Sequence, residues 1–264
     1  MIRLVLRAAL LEWLHIARRG AAWLLTACFG LLALAACLFE GLRQSYFSAA
    51  PSLPIFLLEL AAPPFLALGL AAALCPVFAG REERQVAGLA DACRLGRAGG
   101  VLAKLLGALW FGGGLCLLYG LLCAGLPALF GLYNGSLPVA CLGDDLVLHP
   151  VWAVWQHLAF ALCSLGCGCA LLALLALCFS RRASGPGAAA AGCAVVLLLE
   201  VLFQRFSFPV FLREYNLWML FTPYSLFGST LYPLPPWQNL LLVMLAFLPA
   251  ILALLWLLFC PREG

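Results

Sequence analysis

Charge is scarce in this chain. Lys and Arg number 15 and Asp and Glu 11 among 264 residues, so charged side chains make up 10%, against roughly a quarter in soluble domains. That scarcity excludes an ordinary soluble globular protein, whose surface needs many more solvated groups. It also excludes a nucleic-acid interface, because the net charge is only +4 and the basic residues are not gathered into one patch. Histidine is rarer still, at 3 residues, and no HExxH stretch is present to build a zinc-peptidase helix. No GxxxxGK[ST] loop is present to cradle phosphates either: Gly112–Gly114 and Gly185–Gly187 lack the Lys and Ser/Thr that must follow.

What fills the chain instead is apolar. Hydrophobic residues make up 66%, and the mean hydropathy is +1.08. This is the composition of an integral membrane protein, long enough for about six spans of roughly 20 residues with their connections. Cysteine is abundant, at 13 residues, but most of it sits inside apolar runs, where it behaves as a small hydrophobe. A disulfide framework is not expected. Residues 1–20 lack a continuous apolar core followed by a small-residue cleavage site, so no cleavable signal is expected there.

Read in order, residues 2–19 form a basic amphipathic helix with Arg3, Arg7, Arg18 and Arg19 near its ends. Apolar spans are expected at 21–39, 53–79, 101–133, 151–179, 188–203 and 240–260. The second holds Pro63, Pro64 and Pro76, which kink a membrane helix. The third holds Gly112–Gly114, expected to admit a close neighbour. With both termini cytoplasmic, 12 of the 15 Lys and Arg fall inside, and only Arg43, Arg205 and Arg213 fall outside. The positive-inside rule therefore fixes the orientation, and the chain is read as one transmembrane domain without a tandem repeat.

Between the second and third spans lies the one long polar island, Gly80–Lys104, with Arg81, Glu82, Glu83, Arg84, Asp91, Arg94 and Arg97. A turn needs only a few residues, so this length makes either a topogenic loop or short helices offered to a cytoplasmic partner. The order is Glu82–Glu83, then Gly88–Leu89, then Gly96–Arg97, then Lys104 opening the next span. It resembles the coupling loop of type-2 ATP-binding-cassette (ABC) permeases. The layout around it is similar too, with an elbow helix before the first span and an aromatic outer segment before the last. The resemblance implies a six-span, all-α permease, expected to be an exporter in a bacterial plasma membrane. It implies a cytosolic ABC ATPase as partner, a second permease subunit facing this one, and ATP bound by the partner. Glu82, Glu83, Arg84, Gly88 and Leu89 would dock the ATPase, while Arg97 and Lys104 would bind headgroups or acidic ATPase residues. A polytopic scaffold or assembly factor and an ion-coupled carrier remain open alternatives, and neither the substrate nor the homo- or heterodimeric state is legible.

Other residues carry weaker signals. The pair Glu82–Glu83 has the acidic half of the EExxxR signature of membrane proteases, but Ala87 stands where the Arg is needed. No paired acid–base constellation within a span is apparent, so an enzyme is not expected. Glu59, just before Pro63–Pro64, is read as lining a path, and Glu200 as reaching for the interface. Cys163, Cys167 and Cys169 have a spacing that suits a soft metal, or they are small residues on a packed face beside Ser164, Gly166 and Gly168. In the outer segment 204–239, Phe211, Tyr215 and Trp218 fall on one helical face.

Overall fold

A computed structural model describes residues 2–44, 53–80, 96–133, 152–205, 217–226 and 235–260. Helix α1 (Ile2–Ala17) is followed after two residues by α2 (Gly20–Gln44). The second span is a broken rod: α3 (Leu53–Phe56), a π-helical turn (Leu57–Ala61), α4 (Ala62–Leu74) and α5 (Pro76–Ala79). Then come α6 (Gly96–Leu129), α7 (Val154–Arg182) and α8 (Pro186–Arg205). A short α9 (Leu217–Phe221) and a 3-10 turn (Pro223–Leu226) precede α10 (Pro236–Phe259).

The protein is an all-α, multi-pass membrane protein. Among the described residues, five stretches are long and apolar enough to cross a bilayer: 20–40, 53–79, 98–129, 154–182 and 236–259. The span expected at 188–203 is the helix α8, whose apolar stretch Pro186–Leu202 is shorter than the other five. Several boundaries move. The third span begins in the polar island at Gly96, and the fourth continues through Arg181–Arg182, which leaves only Ala183–Gly185 as the turn.

The prolines explain the broken span. Pro63 and Pro64 have no N–H for the carbonyls one turn earlier, and their rings would crowd those carbonyls in a regular helix. The chain widens instead, and Ala62 N–H reaches back to Leu57 O, a π-type bond. Pro76 likewise starts a new helix at Cys75 rather than continuing the old one.

The axis of the bundle is α7, which packs against α4, α5, α6, α8, α9 and α10. Its inward face runs Leu158, Ala161, Leu165, Leu172, Ala176, all buried, at the spacing of a helical stripe. Phe29 of α2 stacks on Tyr119 of α6 at 4.6 Å and leans on Phe65 of α4 at 5.8 Å, which ties three helices together. At the periphery, α2 and α10 leave Leu24, Leu31, Leu241 and Leu252 exposed, as expected of surfaces that meet hydrocarbon.

Glycine decides one close crossing. A Cβ on Gly107 of α6 would sit 2.9 Å from Ala9 O and 3.0 Å from Trp13 N, so α1 lies with its backbone directly against α6 there. The expected packing site Gly112–Gly114 is only partly one. Gly112 faces Leu70 and Cys169 at ordinary contact distance, while Gly113 and Gly114 meet nothing.

Candidate functional site

Two polar sites clamp the second span against α7, one near each end. The first gathers around α5. Because Pro76 opens a new helix, the N–H groups of its first turn have no partner within it. Ser180 Oγ of α7 accepts two of them, from Phe78 at 2.7 Å and Ala79 at 3.1 Å. The carbonyls of the same stretch are taken by cations: Arg19 donates to Ala73 O at 2.7 Å and Lys104 to Val77 O at 2.9 Å. Positive charge is favourable at these helix C-termini. Lys104 also lies 4.0 Å from Glu12 of α1 and 4.8 Å from the Phe78 ring centroid, with the Arg181 guanidinium 6.0 Å from the same ring. Cys75, at the break, points its thiol at Cys193 of α8, 3.7 Å away. Helices α1, α5, α6, α7 and α8 thus converge on one joint, and residues 81–95 leave it at Gly80 and return at Gly96.

Of the expected docking residues, Glu82, Glu83, Arg84, Gly88 and Leu89 lie outside the described residues. Arg97 is in the first turn of α6. Lys104 differs from its expectation: its ammonium is engaged inside the protein, by Val77, Glu12 and Phe78, rather than held out for headgroups. The stem of a lysine is long enough for this, and the helix-end carbonyl is a strong acceptor.

The second site is a pair that the sequence reading missed. Glu59 Oε1, in the π-helical turn, and His157 Nε2, in the first turn of α7, are 2.6 Å apart and share a hydrogen. Both side chains are out of contact with solvent, at 1% and 0% exposure. Glu59 Oε2 has no hydrogen-bond partner among the described residues. An acid–base pair inside a span is therefore present, contrary to expectation. The signal was a lone Glu and a lone His near the N-terminal ends of two parallel spans, legible only once the pairing of those spans is known. Near this end Trp152, Phe160 and Trp237 form a ring cluster, with Phe160 and Trp237 4.8 Å apart edge to face.

Between the two sites, the segment before the last span dips into the bundle. Ser164 Oγ donates to Leu220 O at 2.9 Å, and a Cβ on Gly168 would touch the Phe221 ring at 3.0 Å. These positions lie about 15 and 21 Å along α7 from its start, at 1.5 Å per residue. Backbone can enter at such depth only where protein buries it, and Leu217, Leu220, Phe221 and Leu226 are buried. Glu200 does not reach for the interface. Its Oε2 accepts from Leu217 N–H at 2.8 Å, capping the start of α9. Asn239 Nδ2 donates to Leu226 O at 2.9 Å and holds the other end of the segment. Phe211 and Tyr215 lie outside the described residues, and Trp218 stacks on Phe221 at 5.8 Å.

The cysteine group does not converge. Cys163 is exposed, Cys167 half-buried and Cys169 buried, and no cluster of three metal-ligating side chains occurs among the described residues. No protein-family model matches this chain, and no curated protein matches it.

Proposed function

We propose that the chain is the membrane-spanning permease subunit of an ABC exporter in a bacterial plasma membrane. It pairs with a second permease subunit and is driven by a separate cytosolic ATPase that binds the ATP. The observation that carries this reading is the joint. Residues 81–95, with the acidic pair Glu82–Glu83 and the Gly88–Leu89 turn, hang from a point where several helices are bonded to one another through Ser180, Arg19 and Lys104.

A pull on that loop is transmitted because the joint's bonds are to backbone atoms, which cannot swing away as side chains do. Ser180 passes displacement from α5 to α7, and Lys104 passes it to α6. Two further features support the reading. The helix α1 lies against α6 before the first span, as an elbow does. The segment 217–226, with Leu217, Leu220, Phe221 and Leu226 buried, enters the bundle from the end opposite the joint, where the outer mouth of a path would be. The basic residues Arg18, Arg19, Lys104, Arg181 and Arg182 all lie toward the joint, and by the positive-inside rule this supports a cytoplasmic position for that end.

Replacing Glu82 and Glu83 together by Lys reverses the charge of the loop without touching a span. The ATPase should then no longer co-purify, while membrane insertion is retained. Undiminished association would overturn the docking assignment.

A further inference from the structure

We propose that Cys75 and Cys193 form a dithiol site that hydrogen peroxide oxidises to a disulfide, fastening α8 to the second span at the joint. The inference does not rest on the permease reading, since it concerns two helices of this chain and needs no motor.

The geometry carries it. The two thiols lie 3.7 Å apart although 118 residues separate them in sequence, and both side chains are buried. Each is held in place by its own helix. Cys75 is the residue at which α4 ends and α5 begins, because Pro76 cannot continue the helix. Cys193 is the middle member of the inward stripe of α8, Ala189, Cys193 and Leu197, spaced four residues apart and all buried. Beside it, a Cβ on Gly192 would stand 2.8 Å from the Phe179 ring, so α8 is pressed against α7 there. A disulfide needs its sulfurs about 2 Å apart, which leaves this pair about 1.7 Å to close. Alanine would fill such a seam as well; two sulfurs in contact add a chemistry that alanine lacks.

The step balances. The Cys75 sulfur attacks one oxygen of peroxide, the O–O bond breaks, and the departing oxygen takes the thiol proton and leaves as water. The Cys193 sulfur then attacks the sulfenic acid so formed, the S–S bond closes, and the S–O oxygen leaves as a second water with the second thiol proton. The two sulfurs give up two electrons and peroxide gains them. Attack builds negative charge at Cys75, and cations are bonded to the carbonyls two residues to either side of it: Arg19 at Ala73 and Lys104 at Val77. Peroxide is uncharged and little larger than water. Cys75 is five residues from Gly80, about 7.5 Å along a helix, so a passing opening of the joint admits it. The joint itself holds α5 through hydrogen bonds, from Phe78 and Ala79 to Ser180 and from Lys104 to Val77 O. A disulfide adds a covalent tie at the break, after which α5 and α8 move together.

The test uses the purified full-length protein in lipid nanodiscs, with hydrogen peroxide as oxidant and dithiothreitol as reductant. Mass spectrometry reads the disulfide-linked peptides, and hydrogen exchange reads the backbone of 76–80 and 186–202. Peroxide should convert Cys75 and Cys193 to the linked pair with loss of both free thiols, exchange in both stretches should slow, and dithiothreitol should reverse both changes. Cys75→Ala and Cys193→Ala should show no slowing. Cys116→Ala, which removes a thiol that meets Cys169, should slow as wild type does. Cys93 and Cys141 lie outside the described residues, and the double variant Cys93→Ala with Cys141→Ala should still form the link. Wild type alone, compared before peroxide, after it and after reduction, decides the matter if a variant misfolds. Free thiols at Cys75 and Cys193 after treatment would overturn the proposal, as would a link from Cys75 to another cysteine or a sulfinic acid in place of the link. So would a Cys75–Cys193 link that leaves exchange unchanged. A failed ATPase pull-down leaves any of these results intact.

Discussion

Substituting Gly107 by Ala should peel α1 from α6. The added Cβ would stand 2.9 Å from Ala9 O, 3.0 Å from Trp13 N and 3.0 Å from Glu12 Cβ. The first two are backbone atoms of α1, so no rotamer change relieves them. Restoring ordinary contact of about 3.5 Å requires α1 to withdraw by roughly 0.5 Å or more, and a gap of that size forfeits a quarter to a half of each dispersion contact along the seam. The seam includes Val5, Ala9 and Ile16, all buried, so a cost of about 1–3 kcal/mol is expected, as for other overpacked contacts. Two readouts check it: thermal unfolding in detergent, and the rate of tryptic cleavage at Arg18–Arg19, whose protection depends on a docked α1. Gly113→Ala and Gly114→Ala are the controls. They meet nothing within 4 Å and sit in the same helix, so they should be neutral or slightly stabilising. If Gly107→Ala behaves like these two, the crossing is not where the structure has it.

Two other substitutions probe the joint. Ser180→Ala strands the N–H groups of Phe78 and Ala79 and should destabilise by about 1–3 kcal/mol, with faster tryptic cleavage within 81–95; Ser180→Thr should restore both. The thiols of Cys75 and Cys193 are 3.7 Å apart, so a membrane-permeant oxidant should bridge them in the resting protein and give a linked peptide by mass spectrometry. Absence of that peptide, with other cysteines oxidised, would place the second span and α8 differently.

Much of the architecture is legible because bilayer thickness leaves few choices. Long apolar runs must be helices, and their order and approximate limits follow from hydropathy; of the six spans expected, five are long and apolar enough among the described residues, and the sixth is the shorter α8. Where the sequence misleads, contacts between distant segments decide. Gly113 and Gly114 look like a packing motif, yet Gly107, an isolated glycine, makes the close crossing, because only the partner's position distinguishes them. Glu200 reads as a residue seeking water, yet it caps a buried helix that the local sequence does not announce. Lys104 was visible as a cation at the head of a span, but its acceptors lie on α5 and α1. The Glu59–His157 pair joins residues 98 apart, so no local pattern reveals it. The prolines did announce a broken span, since a missing N–H is a property of the residue itself.

The central claim is that this chain works as the membrane half of an ABC machine. Its most direct test is purification of the tagged full-length protein in mild detergent, with mass spectrometry of stoichiometric partners. A co-purifying subunit that carries a GxxxxGK[ST] phosphate loop, in a one-to-one ratio and lost with Glu82→Lys and Glu83→Lys, is the expected result. A chain that purifies without such a subunit, under conditions where a known ABC complex stays whole, would contradict it.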